Sequence, residues 1–174
     1  MDAVELATVV YLPPEEVYDF LVDFPGYARY SKYLTDVSVD GEGGPGTVYD
    51  ITFSWWKLSY TARSRVTDVE PPNHVDWRLI KDIDATGYWH VEAVDPPEDR
   101  DHASEVTFRV EFRPESADAS ALDLPSFVSL DWVVEKVKPK VRDEAERVVR
   151  RVVADLEGEP RAVDLDVRTG PESL

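Results

Sequence analysis

Apolar side chains alternate with polar ones through most of this chain, and only the C-terminal third steps by three or four. Residues 2–11 read as a first strand, stopped by Pro13 and Pro14. Pro14 suits the first turn of a helix, where Glu15 and Glu16 meet the positive end of the dipole, and Val17, Phe20 and Leu21 carry the helical spacing to Asp23. Phe24-Pro25-Gly26 reads as a break, after which Tyr27 to Tyr33 form a second short helix. A strand over Leu34 to Asp40 follows, and the glycine-rich run 41–46 is a turn.

Four alternating segments come next. Tyr49, Ile51, Phe53 and Trp55 share one parity, as do Leu58, Tyr60 and Ala62, with only Trp56 and Lys57 between them for a tight hairpin. Val75, Trp77 and Leu79 make a third apolar face, and Trp89, Val91 and Ala93 a fourth. After the polar loop 96–101, Val106, Phe108, Val110 and Phe112 supply a last strand. One apolar face per strand predicts an antiparallel sheet covered on one side. The cover is a helix over Ser126 to Leu156, striped by Val134, Val137, Val141, Ala145, Val148 and Val152 and bent by Pro139. Gly158 and Pro160 end it. The predicted class is α+β: a curved antiparallel sheet of about seven strands wrapped on one long bent helix, with two short helices after the first strand. Residues 1–158 form the single domain and 159–174 a polar, peripheral tail.

Composition narrows the chemistry. The 174 residues carry a formal net charge of −17 and no cysteine, which excludes disulfides, thiolate metal sites and a cysteine nucleophile. Binding to nucleic acid needs a basic surface and is not expected. Aspartate occurs 20 times and glutamate 16, against 6 lysines and 13 arginines, and valine outnumbers isoleucine 26 to 3. Acids spread along the whole chain keep a surface hydrated where salt is molar, so the composition resembles that of cytoplasmic proteins of extreme halophiles. The alternative is an acidic face for a basic partner. No apolar run is long enough to cross a membrane, and the first residues lack the basic-then-apolar pattern of a secretion signal, so the expected location is the cytoplasm.

The stretch Val17-Tyr18-Asp19-Phe20-Leu21-Val22-Asp23-Phe24-Pro25-Gly26-Tyr27-Ala28-Arg29-Tyr30 resembles the first helix and loop of the START-like or SRPBCC superfamily. The closest branch is that of polyketide cyclase/dehydrase and coenzyme Q-binding (Coq10-like) proteins. Trp89-His90-Val91-Glu92-Ala93 is similar to a Trp-x-aliphatic strand of the family, and Ser31-Lys32-Tyr33 departs from its pattern, which often has proline there. The resemblance implies a helix-grip (Bet v 1-like) fold with a cavity between sheet and C-terminal helix. Placed on this chain, the cavity takes Tyr27, Tyr30 and Tyr33 as a mouth or lid on one helical face. Its walls take Tyr49, Phe53, Trp55, Tyr60, Trp77, Trp89, Phe108, Val134, Val137 and Val141. Twelve of the 19 aromatic residues lie between Tyr11 and Tyr60, which suits a broad apolar contact surface with polar phenol tips. The alternative for each of these residues is plain core packing.

Signatures of catalysis are absent. His90 shares parity with Tyr88 and Glu92 and so points away from the apolar face, and His74 and His102 lie near turns. No zinc spacing occurs; Asp82-Ile83-Asp84 lacks the glycine and distal glutamate of a calcium loop. Neither a nucleophile elbow nor a phosphate-binding loop occurs. Arg63 and Arg65 are expected to meet acids on the outer face of the sheet. No cofactor and no metal are implied. Three functions remain open: a carrier or chaperone for a hydrophobic small molecule such as an isoprenoid quinone, lipid or polyketide-like compound; a cyclase/dehydratase-type enzyme using cavity Tyr, Arg or His; and a ribosome- or protein-interaction module. Membrane contact is expected to be transient at most, and the chain a monomer or weak homodimer.

Overall fold

The computed structural model describes residues 2–113, 116 and 128–171. β1 (Asp2–Val10) leads into α1 (Pro14–Val22) and α2 (Phe24–Ala28), followed by β2 (Leu34–Asp40), β3 (Val48–Trp55) and β4 (Leu58–Glu70). β5 (His74–Leu79), β6 (Ala85–Ala93) and β7 (Ser104–Phe112) continue the meander to α3 (Leu130–Glu157) and β8 (Asp166–Pro171). All strand pairs are antiparallel, in the order β2-β3-β4-β5-β6-β7-β1-β8. The α+β helix-grip expectation therefore holds, with eight strands among the described residues rather than about seven. The eighth comes from the stretch read as a tail. Val163, Leu165 and Val167 alternate there with polar residues, and Asp166 to Pro171 pair with β1 at the open edge.

Two helix boundaries differ from the sequence reading. Phe24-Pro25-Gly26 does not precede the second helix but begins it, because proline in a first turn forfeits no hydrogen bond. Tyr30 and Tyr33 consequently fall beyond α2. Helix α3 starts at Leu130, where the Ser129 hydroxyl accepts from the Trp132 N–H at 3.2 Å, and it stops at Gly158, which takes the left-handed φ of 84°. Pro139 lies inside it. Among the described residues no helix is long and apolar enough to cross a membrane.

The core divides in two. One cluster joins Val10, Val17, Leu21 and Tyr27 to Val91, Val106 and Val153, so the last turns of α3 close over β1, β6 and β7. The other joins Tyr18 to Tyr49, Val66 and Val75 over β3, β4 and β5. The end of α3 is anchored by a buried ion pair. Glu157, 2% exposed, accepts from Arg161 at 2.7 and 2.9 Å and from the Tyr11 N–H at 3.0 Å. Arg161 also donates to the Val9 carbonyl at 2.8 Å and lies over the Tyr11 ring. Burial pushes the Glu157 carboxyl up, but the bonds from Arg161 and Tyr11 outweigh it and hold it below its ordinary range.

Candidate ligand cavity

Between the two core clusters lies a cavity of about 330 Å³. Its floor is the inner face of the sheet, where β3 contributes Tyr49, Ile51 and Phe53, and β4 contributes Ala62, Ser64 and Val66. The period of two brings these side chains to one face, and the antiparallel register sets Ile51 opposite Ala62 and Tyr49 opposite Ser64. Val75, Trp77, Trp89 and Phe108 continue the floor across β5, β6 and β7. Leu21, Val22, Phe24 and Tyr27 form the roof over one end. Phe53 both lines the cavity and is 42% exposed, so the space reaches the surface along β3.

The aromatic walls support one another. Tyr27 stacks on Phe20 at 5.2 Å and meets the edge of Trp89 at 6.5 Å, and Trp89 and Phe108 lie 4.6 Å apart. Trp77 stacks on Phe108 at 5.9 Å and covers Gly87, its cross-strand neighbour. A Cβ on Gly87 would lie 2.3 Å from the Trp77 ring and 2.4 Å from the Arg109 carbonyl, so the close approach requires glycine. A second space of about 90 Å³ lies under the end of α3, and Leu21, Tyr27, Trp89 and Phe108 line both spaces. These four side chains form the partition between them.

The phenols in the wall have structural work. The Tyr27 hydroxyl donates to the Leu21 carbonyl at 2.7 Å, and that of Tyr49 to the Val22 carbonyl at 3.3 Å. Both carbonyls belong to the last turn of α1, whose acceptors have no partner within the helix. Burial first, then the neighbouring Tyr49 and Asp23, raise the Tyr27 phenol well above its usual value, and burial and Asp23 raise Tyr49. Both are neutral donors at physiological pH. Ser64 adds a hydroxyl, and no other described lining residue carries a titratable side chain.

Of the residues placed in the site from sequence, Tyr27, Tyr49, Phe53, Trp77, Trp89 and Phe108 line this cavity. Tyr30, Tyr33, Trp55 and Tyr60 are not among its lining residues. Tyr30 and Tyr33 sit on the turn after α2, so the three tyrosines share no helical face. The Tyr30 hydroxyl bonds Asp155 and its carbonyl accepts from Arg147 at 2.7 Å, while the Lys32 N–H donates to Glu144 at 3.1 Å. These contacts pin the turn to α3. Tyr60 has inner-face parity, but its hydroxyl donates to Asp82 at 3.0 Å, and burial together with that carboxylate pushes it up to about 12. Trp55 extends the inner face past Phe53, where it meets Trp56 and Trp132. The side chains of Val134, Val137 and Val141 lie outside the described residues. Eleven further described lining residues are not in the sequence-derived site, among them Leu21, Val22 and Phe24 of the helices and Ile51, Ala62, Ser64 and Val75 of the strands; inner-face parity is the signal for the strand residues.

The histidines are elsewhere. His74 and His90 face each other on the outer side of β5 and β6, Nδ1 to Nδ1 at 2.9 Å, with His74 Nε2 3.0 Å from Asp76. On the outer side of β3 and β4 Arg63 meets Asp50 at 2.8 Å, as its parity predicts. Asp82 bonds Tyr60 and faces Lys81 at 3.8 Å. Among the described residues no group of three or more His, Cys, Asp or Glu side chains is placed to hold a metal ion.

The sequence matches, over residues 1–153, the family described as polyketide cyclase/dehydrase and lipid transport. The chain belongs to that family. Solved structures share its fold at low identity. ZhuI aromatase/cyclase from Streptomyces sp. R1128 aligns with a TM-score of 0.64 at 20% identity, covering 90% of this chain and 94% of that one. Ara h 8.0201 aligns at 0.58 and 16% identity, covering 90% and 98%. The di-domain aromatase/cyclase StfQ from the steffimycin biosynthetic pathway aligns at 0.57 and 11% identity, covering 90% of this chain and 51% of that one. A search of curated protein sequences returns no match. The fold family binds hydrophobic small molecules, and in this chain the cavity lies between the sheet and the first two helices.

Proposed function

We propose that this protein is a non-catalytic carrier or chaperone for a compact hydrophobic molecule: a quinone head with the start of its isoprenoid tail, a lipid, or a polyketide-like ring system. The observation that carries the reading is the make-up of the described lining, which is apolar apart from Ser64 and two neutral phenols already committed to backbone carbonyls. Such walls favour apolar surface by ~0.8 kcal/mol per CH₂ group buried, and need few polar groups to orient the ligand. A volume of about 330 Å³ suits a ring system or a short chain; a long isoprenoid tail would trail out past Phe53. A cyclase/dehydratase reading asks for an acid or base aimed at the substrate. The described lining offers neither Arg nor His, so the carrier reading is the better supported.

The acidic composition supports a cytoplasm rich in salt as the setting. Stability that rises steadily with KCl, where repulsion among surface carboxylates is screened, is the expected behaviour; stability independent of KCl up to molar concentration would refute it. The function itself is tested by native mass spectrometry and solvent extraction of protein purified from its own host at high salt. A co-purifying quinone, lipid or polyketide supports the carrier. Protein that co-purifies with nothing and fails to bind a neutral apolar fluorophore would remove the proposal.

A further inference from the structure

At the end of the cavity where Phe53 surfaces, three tryptophans stand together. Trp55 and Trp56 belong to the β3–β4 hairpin and Trp132 to the first turn of α3, with ring centroids 5.5 to 6.3 Å apart. Trp56 is 50% exposed and Trp132 40% exposed. Trp56 also occupies the hairpin turn with φ 55°, a left-handed conformation that a bulky side chain disfavours and that glycine or asparagine takes readily. The turn thus holds a half-exposed indole in a backbone conformation that costs about 1 kcal/mol or more.

The cations gather at the same place. Lys57 Nζ lies 5.5 Å from the Trp56 ring and Lys136 Nζ 5.8 Å from the Trp132 ring. Lys81 lies 6.0 Å from Tyr60, which pairs across the hairpin with Phe53. Lys32 lies 5.2 Å from Tyr33, whose carbonyl accepts from the Ser54 N–H at 2.8 Å. The remaining lysines of the chain, Lys138 and Lys140, follow Lys136 along α3. All 6 lysines of a chain with net charge −17 thus fall around this corner or on the adjoining turns of α3.

We propose that this tryptophan–lysine corner docks on the surface of an anionic lipid bilayer, with the indoles at the headgroup level and the lysines against the lipid phosphates. Indoles favour the membrane–water interface because their rings are apolar and their N–H groups are not, and lysines beside them add attraction to anionic headgroups. The net negative charge does not oppose docking, since charges beyond the Debye length, about 8 Å at 0.15 M salt and about 3 Å at 1 M, are largely screened. Docking there turns the Phe53 opening of the cavity toward the lipid. The surface goes beyond the carrier reading and is tested with no ligand present, so the two stand or fall separately.

The test is flotation of the full chain with vesicles of 70:30 phosphatidylcholine–phosphatidylglycerol and of pure phosphatidylcholine, read together with tryptophan quenching by brominated lipid. Wild type should float with the anionic vesicles and be quenched. Trp56→Ser/Trp132→Ser should cut partitioning at least tenfold without lowering the unfolding temperature. Lys57→Gln/Lys136→Gln should cut it by roughly 30-fold on anionic vesicles, on a scale of one lysine per surface charge contact, and leave neutral vesicles unchanged. Val39→Ser, an exposed valine that pairs with Tyr49 at the far end of β3, should bind as wild type. Failure of wild type to float, or equal flotation of the tryptophan variant, overturns the proposal. So does light scattering that shows a tryptophan-dependent dimer with no vesicle binding, which would make a second copy the occupant.

Discussion

Ala62 lies on the cavity floor, 5% exposed and opposite Ile51. Ala62→Leu adds three carbons that must occupy the space assigned to ligand. If that space is empty in the free protein, the added carbons leave water for an apolar site, worth up to about 2.4 kcal/mol at ~0.8 kcal/mol per CH₂. Ordering the leucine side chain returns about 0.5–1 kcal/mol, so the net gain is about 1–2 kcal/mol. For a chain of this length about 1 kcal/mol moves the unfolding midpoint by about 2–4 °C, so Tm should rise by about 2–8 °C. The same leucine excludes ligand, and affinity for a neutral probe such as N-phenyl-1-naphthylamine should fall at least tenfold. Thermal unfolding followed by circular dichroism and a fluorescence titration read both effects on one sample. In a filled core the substitution would instead overpack and cost about 1–3 kcal/mol. A lower Tm with unchanged probe binding therefore refutes the cavity.

Glu157→Gln leaves Arg161 without its buried partner and should cost about 3 kcal/mol at neutral pH, measured by urea unfolding. Because the folded carboxyl is held below its ordinary value, the wild-type advantage is complete above the unfolded value and is lost as pH falls through the folded one; a gap that persists unchanged in strong acid would contradict the assignment. Tyr60, raised to about 12, keeps its proton in the folded state while the unfolded phenol ionises near 10. Its contribution is present below pH 10 and disappears as pH climbs through 12, so Tyr60→Phe should lose stability less steeply than wild type across that window and lack one late-titrating phenolate by ultraviolet absorbance. Gly87→Ala should destabilise by about 3 kcal/mol or more, since its methyl group meets the Arg109 carbonyl and the Trp77 ring; a neutral result would mean that Trp77 does not cover Gly87 so closely.

The strands and helices of this protein are written locally. Alternation assigns Tyr49, Phe53, Trp77, Trp89 and Phe108 to the inner face, because successive side chains in a strand point to opposite sides whatever lies around them. Proline and glycine mark most of the boundaries for equally local reasons, and the misread start of α2 shows the limit: proline interrupts a helix interior but is at home in a first turn. The sequence alone therefore determined the α+β class, the antiparallel meander and which side of each strand is buried. Only the tertiary structure decided which inner-face residues surround a hollow. Tyr60 shares its parity with Ala62, yet its hydroxyl is taken by Asp82 on the β5–β6 connection. Trp55 follows Phe53 on the same face, yet it meets Trp132 from a helix 77 residues away and joins a surface patch instead of the wall. Tyr30 is claimed by Asp155 and Arg147 of α3. β8 pairs with the row of backbone donors and acceptors that β1 leaves open, and although Val163, Leu165 and Val167 alternate locally, nothing near them in sequence names β1 as the partner. In each case the deciding partner is distant in sequence and close only after folding, and no local periodicity encodes that proximity.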